Sequence, residues 1–289
     1  MSQIPNWFVT AWDNAIRIEA SQKESRLAAT VEDRGAIEGE SFTINNLADD
    51  GSLLNANTVR HGDTELSLET QTARLVPMAD FYHATLLDRN DIPKMKVNPV
   101  TGGAYMKNMM SRKNRRIDDI IYKASRATIT TKDGTTIPLP AAQKIAVGGT
   151  GFTKAKLIAT RKLFRRNEAD KHAGEELYIL YNDEMLEDIL SDTTLTSADF
   201  IAVRMLQDGD VSGNWMGFKW IPYNNITKDG SNVYYTVAYA KSGIHFGKGY
   251  EEGKVSQRGD KKDAWQVSMG ASYGAGRQDE KKVVEIAFN

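Results

Sequence analysis

The sequence predicts an α+β protein with grouped helices and scattered strands. Three observations carry that expectation. Residues 101–126 keep helical spacing for about seven turns. Alternating β patterns occupy residues 211–246 and return in the tail. Residues 31–97 are polar and loop-rich, a run too long for an ordinary surface loop of a compact monomer.

The 289 residues suffice for one large domain or two intimate ones, with a core that needs no disulfide or metal as a staple. Lys plus Arg number 37 and Asp plus Glu 38, so the chain lacks the basic excess of a tight nucleic-acid binder; local contact with nucleic acid stays open. Cysteine is absent, which excludes disulfide frameworks, thiol catalysis, Cys-ligated zinc and iron–sulfur clusters, and fits a reducing compartment. The first twenty residues have no basic leader. No uncharged apolar run approaches membrane-spanning length, so no membrane partner is expected.

In chain order, residues 6–28 read as an amphipathic helix. Phe8, Ala11, Trp12, Ala15 and Ile16 keep its spacing, and Trp7 broadens the stripe. It either packs on its own domain or lies on a neighbouring copy. Residues 31–97 carry short alternating pieces such as Leu66-Ser67-Leu68, punctuated by Gly35, Gly39, Gly51 and Gly62. A long hairpin with extended strands on a partner is expected there. Phe81-Tyr82 and Leu86-Leu87 are expected to enter the core as strand or short helix. In the helix at 101–126, Thr101 is the expected N-cap, and Tyr105, Met106, Met109, Met110, Ile117, Ile120, Ile121 and Ala124 recur at three- and four-residue steps. Its polar face is basic, with Lys107, Arg112, Lys113, Arg115, Arg116, Lys123 and Arg126.

A hairpin follows over 127–140, turning at Asp133-Gly134. Gly148-Gly149-Thr150-Gly151 reads as a hinge-like loop. It leads to a helix of about four turns, with Thr153 as N-cap and Phe152 stapled to Leu157. Leu177–Tyr181 reads as a short buried strand, and Asp183–Leu190 and Ser197–Leu206 as helices. Val233, Tyr235, Val237 and Tyr239 fall on one strand face, with Tyr234, Thr236 and Ala238 on the other. Ala264–Ser272 and Lys282–Phe288 complete the strand candidates.

Motifs for chemistry fail on inspection. In Gly148–Lys154, Thr153 stands where a phosphate loop needs glycine, and Ala155 stands where it needs a hydroxyl. Gly243–Gly249 reads as a glycine loop. Gly270, Gly274 and Gly276 lack the strand–turn–helix setting of a dinucleotide fold. His61, His83, His172 and His245 share no metal-ligand spacing and read as surface or structural histidines. The acid pairs Asp49-Asp50, Asp118-Asp119 and Glu175-Glu176 read as solvated faces. No catalytic residue, cofactor or metal is expected. The basic face at Arg112, Lys113, Arg115 and Arg116 reads as a solvated helix face paired with nearby acids; the sharper reading is weak, sequence-independent contact with DNA.

Taken in order, these segments resemble the Hong Kong 97-type fold of tailed-bacteriophage major capsid proteins. The run Arg115-Arg116-Ile117-Asp118-Asp119-Ile120-Ile121, announced by Asp88-Arg89-Asn90-Asp91, is similar to the R-x-x-D-x-x-I texture of that family's spine helix. The resemblance implies an N-terminal arm at 1–34 and an extended loop at 35–80. It implies a peripheral domain at 81–150 with the spine helix at 101–126. An axial domain at 151–240, with Leu177-Tyr178-Ile179-Leu180 as central strand, and return strands at 241–289 follow. The implied role is a shell subunit that catalyses nothing, joined to copies of itself in pentamers and hexamers around double-stranded DNA. A separate scaffolding protein, a portal and a decoration protein are the further partners it implies.

Inter-subunit contacts are expected at Trp7, Phe8, Trp12, Leu66 and Leu68, and weak DNA contact at Arg112, Lys113, Arg115 and Arg116. Residues 31–93 contain no lysine, so the loop-lysine crosslink of some relatives is not expected. The arm starts close to Met1, which points to scaffolding by another protein or by none. Localisation is expected in the virion after assembly in the host cytoplasm. Deleting residues 1–28 is expected to leave a soluble subunit that closes no shells. Another self-assembling phage part, such as a tail tube or decoration protein, is the second reading. A hydrolase or nucleotide-binding enzyme with a dispersed site is the third.

Overall fold

The computed structural model describes residues 21–48, 70–91, 104–191 and 214–289. In chain order these hold β1 (Glu32–Ala36), β2 (Ser41–Leu47), β3 (Gln71–Pro77), β4 (Ala79–Leu87) and α1 (Ala104–Arg126). Next come β5 (Ile129–Thr131), β6 (Thr136–Ile137), β7 (Lys144–Ile145), α2 (Lys154–Arg166), β8 (Leu177–Tyr181) and α3 (Asp183–Ser191). The last are β9 (Asn214–Trp215), β10 (Phe218–Pro222), β11 (Tyr234–Ala240), β12 (Ile244–Arg258), β13 (Ala264–Arg277) and β14 (Val283–Phe288).

The strands form three sheets. The largest runs β7-β14-β11-β8-β10-β9. Its strands β8 and β14 are buried at every position; β8 accordingly reads as an unbroken apolar run, while β14 carries one buried acid, Glu285. On one face, Phe152, Leu157 and Phe164 of the α2 region and Met185 and Ile189 of α3 pack against Ile179, Phe218 and Phe288. On the other face, Tyr178, Leu180, Val237 and Tyr239 meet Ile117, Ile121 and Tyr122 of α1. The alternation expected in β11 is therefore present, with Val237 and Tyr239 on the α1 side and Ala238 on the α2 side.

The second sheet runs β1-β12-β13-β4. Its spine is the long antiparallel pair β12–β13, which extends from Ile244↔Arg277 to Arg258↔Ala264. Helix α1 lies on this sheet, with Met109 against Leu87, Val267 and Met269. Phe246 and Tyr273 join the cluster that links it to the large sheet.

The third sheet, β2-β3-β5-β6, begins with the β2–β3 hairpin, paired from Ser41↔Pro77 to Leu47↔Gln71. Its own cluster is small: Phe42, Ile44 and Val76, with Ile37 and Met78 beside them. It crosses β12 and β13 where those strands carry glycine. A Cβ at Gly247 would stand 2.8 Å from Ile37 and 2.9 Å from Phe42, and one at Gly274 would stand 2.8 Å from the Pro77 carbonyl oxygen. At Gly276 it would overlap Val76. Glycine is needed here for close approach.

Several expectations are corrected. Gly243–Gly249 is not a glycine loop but runs into β12, the longest described strand, which the sequence reading missed. Within it, Gly247 is the position that leaves room for the hairpin. Residues 21–27 are not helical and end in a single 3-10 turn, Ala28–Thr30, because their backbone amides are claimed by Asp118. Residues 6–20 of that proposed helix, Thr101 and Ser197–Leu206 lie outside the described residues. Thr153 does occupy the N-cap position of α2, but its side chain caps nothing. Asp188 accepts instead from the Phe152 amide at 2.6 Å. In β4, Leu87 is buried and Phe81 half-buried, while Tyr82 and Leu86 stand outward at 67% and 49% exposure. The strand expected at Ala264–Ser272 continues to Arg277.

Candidate assembly and polyanion surfaces

Strand β3 holds the hairpin to the body through a buried charge cluster. The Arg74 guanidinium donates to both Glu280 carboxylate oxygens, at 2.6 and 2.7 Å, and to the Arg277 carbonyl. Arg277 is fully buried and donates to the carbonyls of Ser125, Ala127 and Ile137 and to Glu280. One carboxylate thus serves two buried guanidiniums, and the cluster ties the hairpin to the end of β13, the end of α1 and the β5–β6 turn. Burial pushes the Glu280 carboxyl up, but the hydrogen bond and charge of Arg74 and the charge of Arg277 outweigh it and hold the group below its usual range. Beyond the clamp the hairpin is thinly covered, and Leu47 at its outer end is 60% exposed.

The segment before β1 is held by a buried polar stripe on α1. Ser111, Asn114 and Asp118 fall at helical spacing and are all buried. The Asn114 side chain donates to the Lys23 carbonyl. Asp118, 1% exposed, accepts from the Gln22 side chain, from Ser25 Oγ at 2.6 Å, and from the Arg26 and Leu27 amides at 3.2 and 3.0 Å. The reading of Asp118-Asp119 as a solvated face is therefore corrected for Asp118. Leu27 and Val31 are core residues, so residues 22–31 belong to the subunit itself. Deleting 1–28 would uncover Asp118 and remove Leu27; a cut after residue 20 tests the arm without that damage.

The basic face of α1 divides. Lys113 pairs with Glu251, Arg116 with Asp119 at 3.2 Å, and Lys123 with the same carboxylate at 2.9 Å. Arg116 also lies over the Phe81 ring, 4.9 Å from its centroid. Arg126 pairs with Glu285 at 2.5 Å, and that bond outweighs the burial that would lower its pKa. Arg112 and Arg115 are exposed and have no ion-pair partner among the described residues. All four of Arg112, Lys113, Arg115 and Arg116 line one groove of about 440 Å³ between α1 and β4. Trp7, Phe8, Trp12, Leu66 and Leu68 lie outside the described residues.

His83 is half-buried on β4, His172 is exposed, and His245 is buried and accepts from Arg34 at 2.8 Å; His61 lies outside the described residues. Among the described residues no three metal-ligating side chains converge, and no helix is long and apolar enough to cross a membrane.

A family model described as phage capsid protein matches residues 4–289. The chain belongs to that family. The capsid subunit also shares its fold with solved capsid structures at low identity. The Cyanophage Pam1 capsid asymmetric unit aligns with a TM-score of 0.68 at 14% identity, covering 96% of this chain and 95% of that one. The capsid of Ralstonia phage GP4 aligns with a TM-score of 0.68 at 10% identity, covering 96% and 94%. A chain from Mycobacterium phage Che8 aligns with a TM-score of 0.62 at 15% identity, covering 95% of each. No curated protein matches the sequence. The expected Hong Kong 97-type capsid fold therefore holds, and the protein is a structural subunit of a tailed-phage shell, located in the virion.

Sequence reasoning missed the capsid subunit's Arg74–Glu280–Arg277 clamp, whose members are far apart in sequence and carry no local signal. Asp118 could have been found: Ser111, Asn114 and Asp118 form a second, polar stripe on a helix whose apolar stripe was already evident.

Proposed function

We propose that the subunit assembles with copies of itself, in pentamers and hexamers, into a closed icosahedral shell around double-stranded DNA. The part of the arm before residue 21 and the outer part of the extended loop would lie on neighbouring copies, burying Trp7, Phe8, Trp12, Leu66 and Leu68 there. The observation that supports this reading is the hairpin. Among the described residues it buries Phe42, Ile44 and Val76 in a small cluster with Ile37 and Met78 and leaves Leu47 outward, an apolar end that another copy would cover. Each interface need be only modest, because one subunit engages several at once. Closed symmetry then ends growth.

The role is architectural, with no chemistry performed. Assembly would take place in the host cytoplasm with a separate scaffolding protein or none, and with a portal and a decoration protein as further partners. Negative-stain microscopy of the purified full chain tests the proposal. Closed isometric particles are expected. Tubes or free trimers would transfer the protein to the tail-tube or decoration class, and a solitary particle with a hydrogen-exchange-protected hairpin would end the shell reading.

A further inference from the structure

Two concavities meet on the exposed side of α1, and they share Arg115 and Asn225. The first is the groove against β4, where Arg112 and Arg115 lack ion-pair partners among the described residues. Its one carboxylate among the described lining residues, Asp119, is already engaged by Arg116 and Lys123. The second, about 600 Å³, lies between α1, the segment at 21–26 and the chain leaving β10. Among the described residues it is lined by Ser21, Gln22, Arg26, Arg115, Tyr223 and the asparagines Asn224 and Asn225, none of them a carboxylate.

Tyr223 keeps 5% of its surface, and its buried hydroxyl makes no well-formed hydrogen bond, with the Asn225 side chain beside it as a weak partner. Buried hydroxyls are normally satisfied, so one with only a weak partner, on a residue that lines a concavity, can take a further acceptor. Burial pushes the Tyr223 pKa up, so the group keeps its proton and can donate. Arg26 donates one bond to the Pro222 carbonyl and keeps further N–H groups. The wall is therefore rich in donors, and the two acids whose charge reaches Tyr223, Asp119 and Asp118, are already engaged by other groups.

We infer that this trough, from Arg112 through Arg115 to Arg26 and Tyr223, is a binding site for phosphate oxyanions as borne on the backbone of a nucleic-acid strand. The inference rests on the subunit enclosing DNA, and it moves the contact away from the four spine residues expected from sequence. Lys113 and Arg116 are already paired, whereas Arg26, Tyr223 and Asn225 join the site. A carboxylate from another copy would meet the same donors. Phosphate is favoured because a repeating polyanion engages all three arginines at once, while a peptide does so only where its acids happen to match their spacing. Such contact is weak and independent of base sequence.

The test uses the full chain as unassembled subunit, with a fluorescent single-stranded oligonucleotide of mixed sequence titrated at several salt concentrations. Each phosphate contact contributes about 0.7 to the slope of log affinity against log salt for a single strand. R112Q/R115Q is expected to lower that slope by about 1.4 and R26Q by about 0.7. Y223F is expected to weaken binding a few-fold with the slope unchanged, because its donor is neutral. K132Q, at an exposed lysine of the β5–β6 turn that lines neither concavity, should match wild type. Inorganic phosphate should displace the oligonucleotide more effectively than chloride at equal ionic strength. Unchanged slopes in R112Q/R115Q and R26Q would overturn the inference. Loss of shells in R112Q/R115Q with an unchanged slope would give the trough to a neighbouring copy instead. Phosphate binding without oligonucleotide binding would leave an oxyanion site but remove nucleic acid as its source. Failure of wild type to form shells would count against the shell reading alone, since the slopes are measured on subunits.

Discussion

The six-stranded sheet and the β2–β3 hairpin are both made of short strands, but they are stabilised from different directions. In the sheet, β8 is buried at all five positions and covered on both faces, by α2 and α3 on one side and α1 on the other. In the hairpin, β2 buries only alternate residues, and cover comes mainly at its base. The hairpin is held there by a glycine opening and by one carboxylate between two arginines. A core covered on both sides keeps its shape in a lone subunit. A strand pair fixed at one end keeps its direction, and leaves its far end available to another molecule.

The largest effect should fall on the sheet. Phe218→Ala removes a fully buried ring that packs against Phe164, and should cost about 4 kcal/mol in denaturant unfolding, with the whole transition shifted. An unfolding change confined to the hairpin would contradict the division drawn above. Next comes Glu280→Gln, which leaves Arg277 buried without its counter-charge and should cost about 3 kcal/mol. Hydrogen exchange should rise first in β2 and β3. The same residue predicts a pH dependence. Its folded pKa lies below the ordinary 4.5, so its contribution is complete above that pH and is lost as pH falls through the lowered value. Wild type should therefore lose its advantage over Glu280→Gln on acidification below pH 4.5, and a constant difference there would show that the clamp is not ionic.

Gly276→Ala places a methyl group against Val76 and should cost about 2 kcal/mol by overpacking, with the damage seen in the hairpin and not in the large sheet. The smallest change in subunit stability belongs to Leu47→Ser, under about 0.5 kcal/mol, because the side chain is mostly in water already. If the hairpin end docks on another copy, this variant should still raise the concentration needed for particles seen by light scattering. Unaltered assembly would show that Leu47 is an ordinary surface residue.

Much of the fold was legible in residue order. The 3.6-residue period of Met109, Ile117 and Ile121 disclosed α1, the unbroken run Leu177–Tyr181 disclosed a buried strand, and Asp133-Gly134 disclosed the β5–β6 turn. Strand β12 was not legible. Its outward residues from Tyr250 to Lys254 are polar or exposed, and its glycines imitate a loop. Only the partner strand β13 and the crossing hairpin give those glycines their meaning. The basic face of α1 was visible as composition, but which of its cations are free was not. That depends on Glu251 and Asp119, one of them 138 residues away from its lysine.

By itself the sequence determined what periodicity and composition can carry: the α+β class, the long helix, the buried strands, the absence of cysteine chemistry and the likeness to a capsid fold. Tertiary structure alone decided which backbone amides Asp118 anchors, that Gly247, Gly274 and Gly276 admit a hairpin, and that Arg74, Arg277 and Glu280 are one unit. The physical reason is range. Side-chain period and turn chemistry act between residues a few positions apart, whereas burial, close backbone approach and charge pairing depend on groups that only folding brings together.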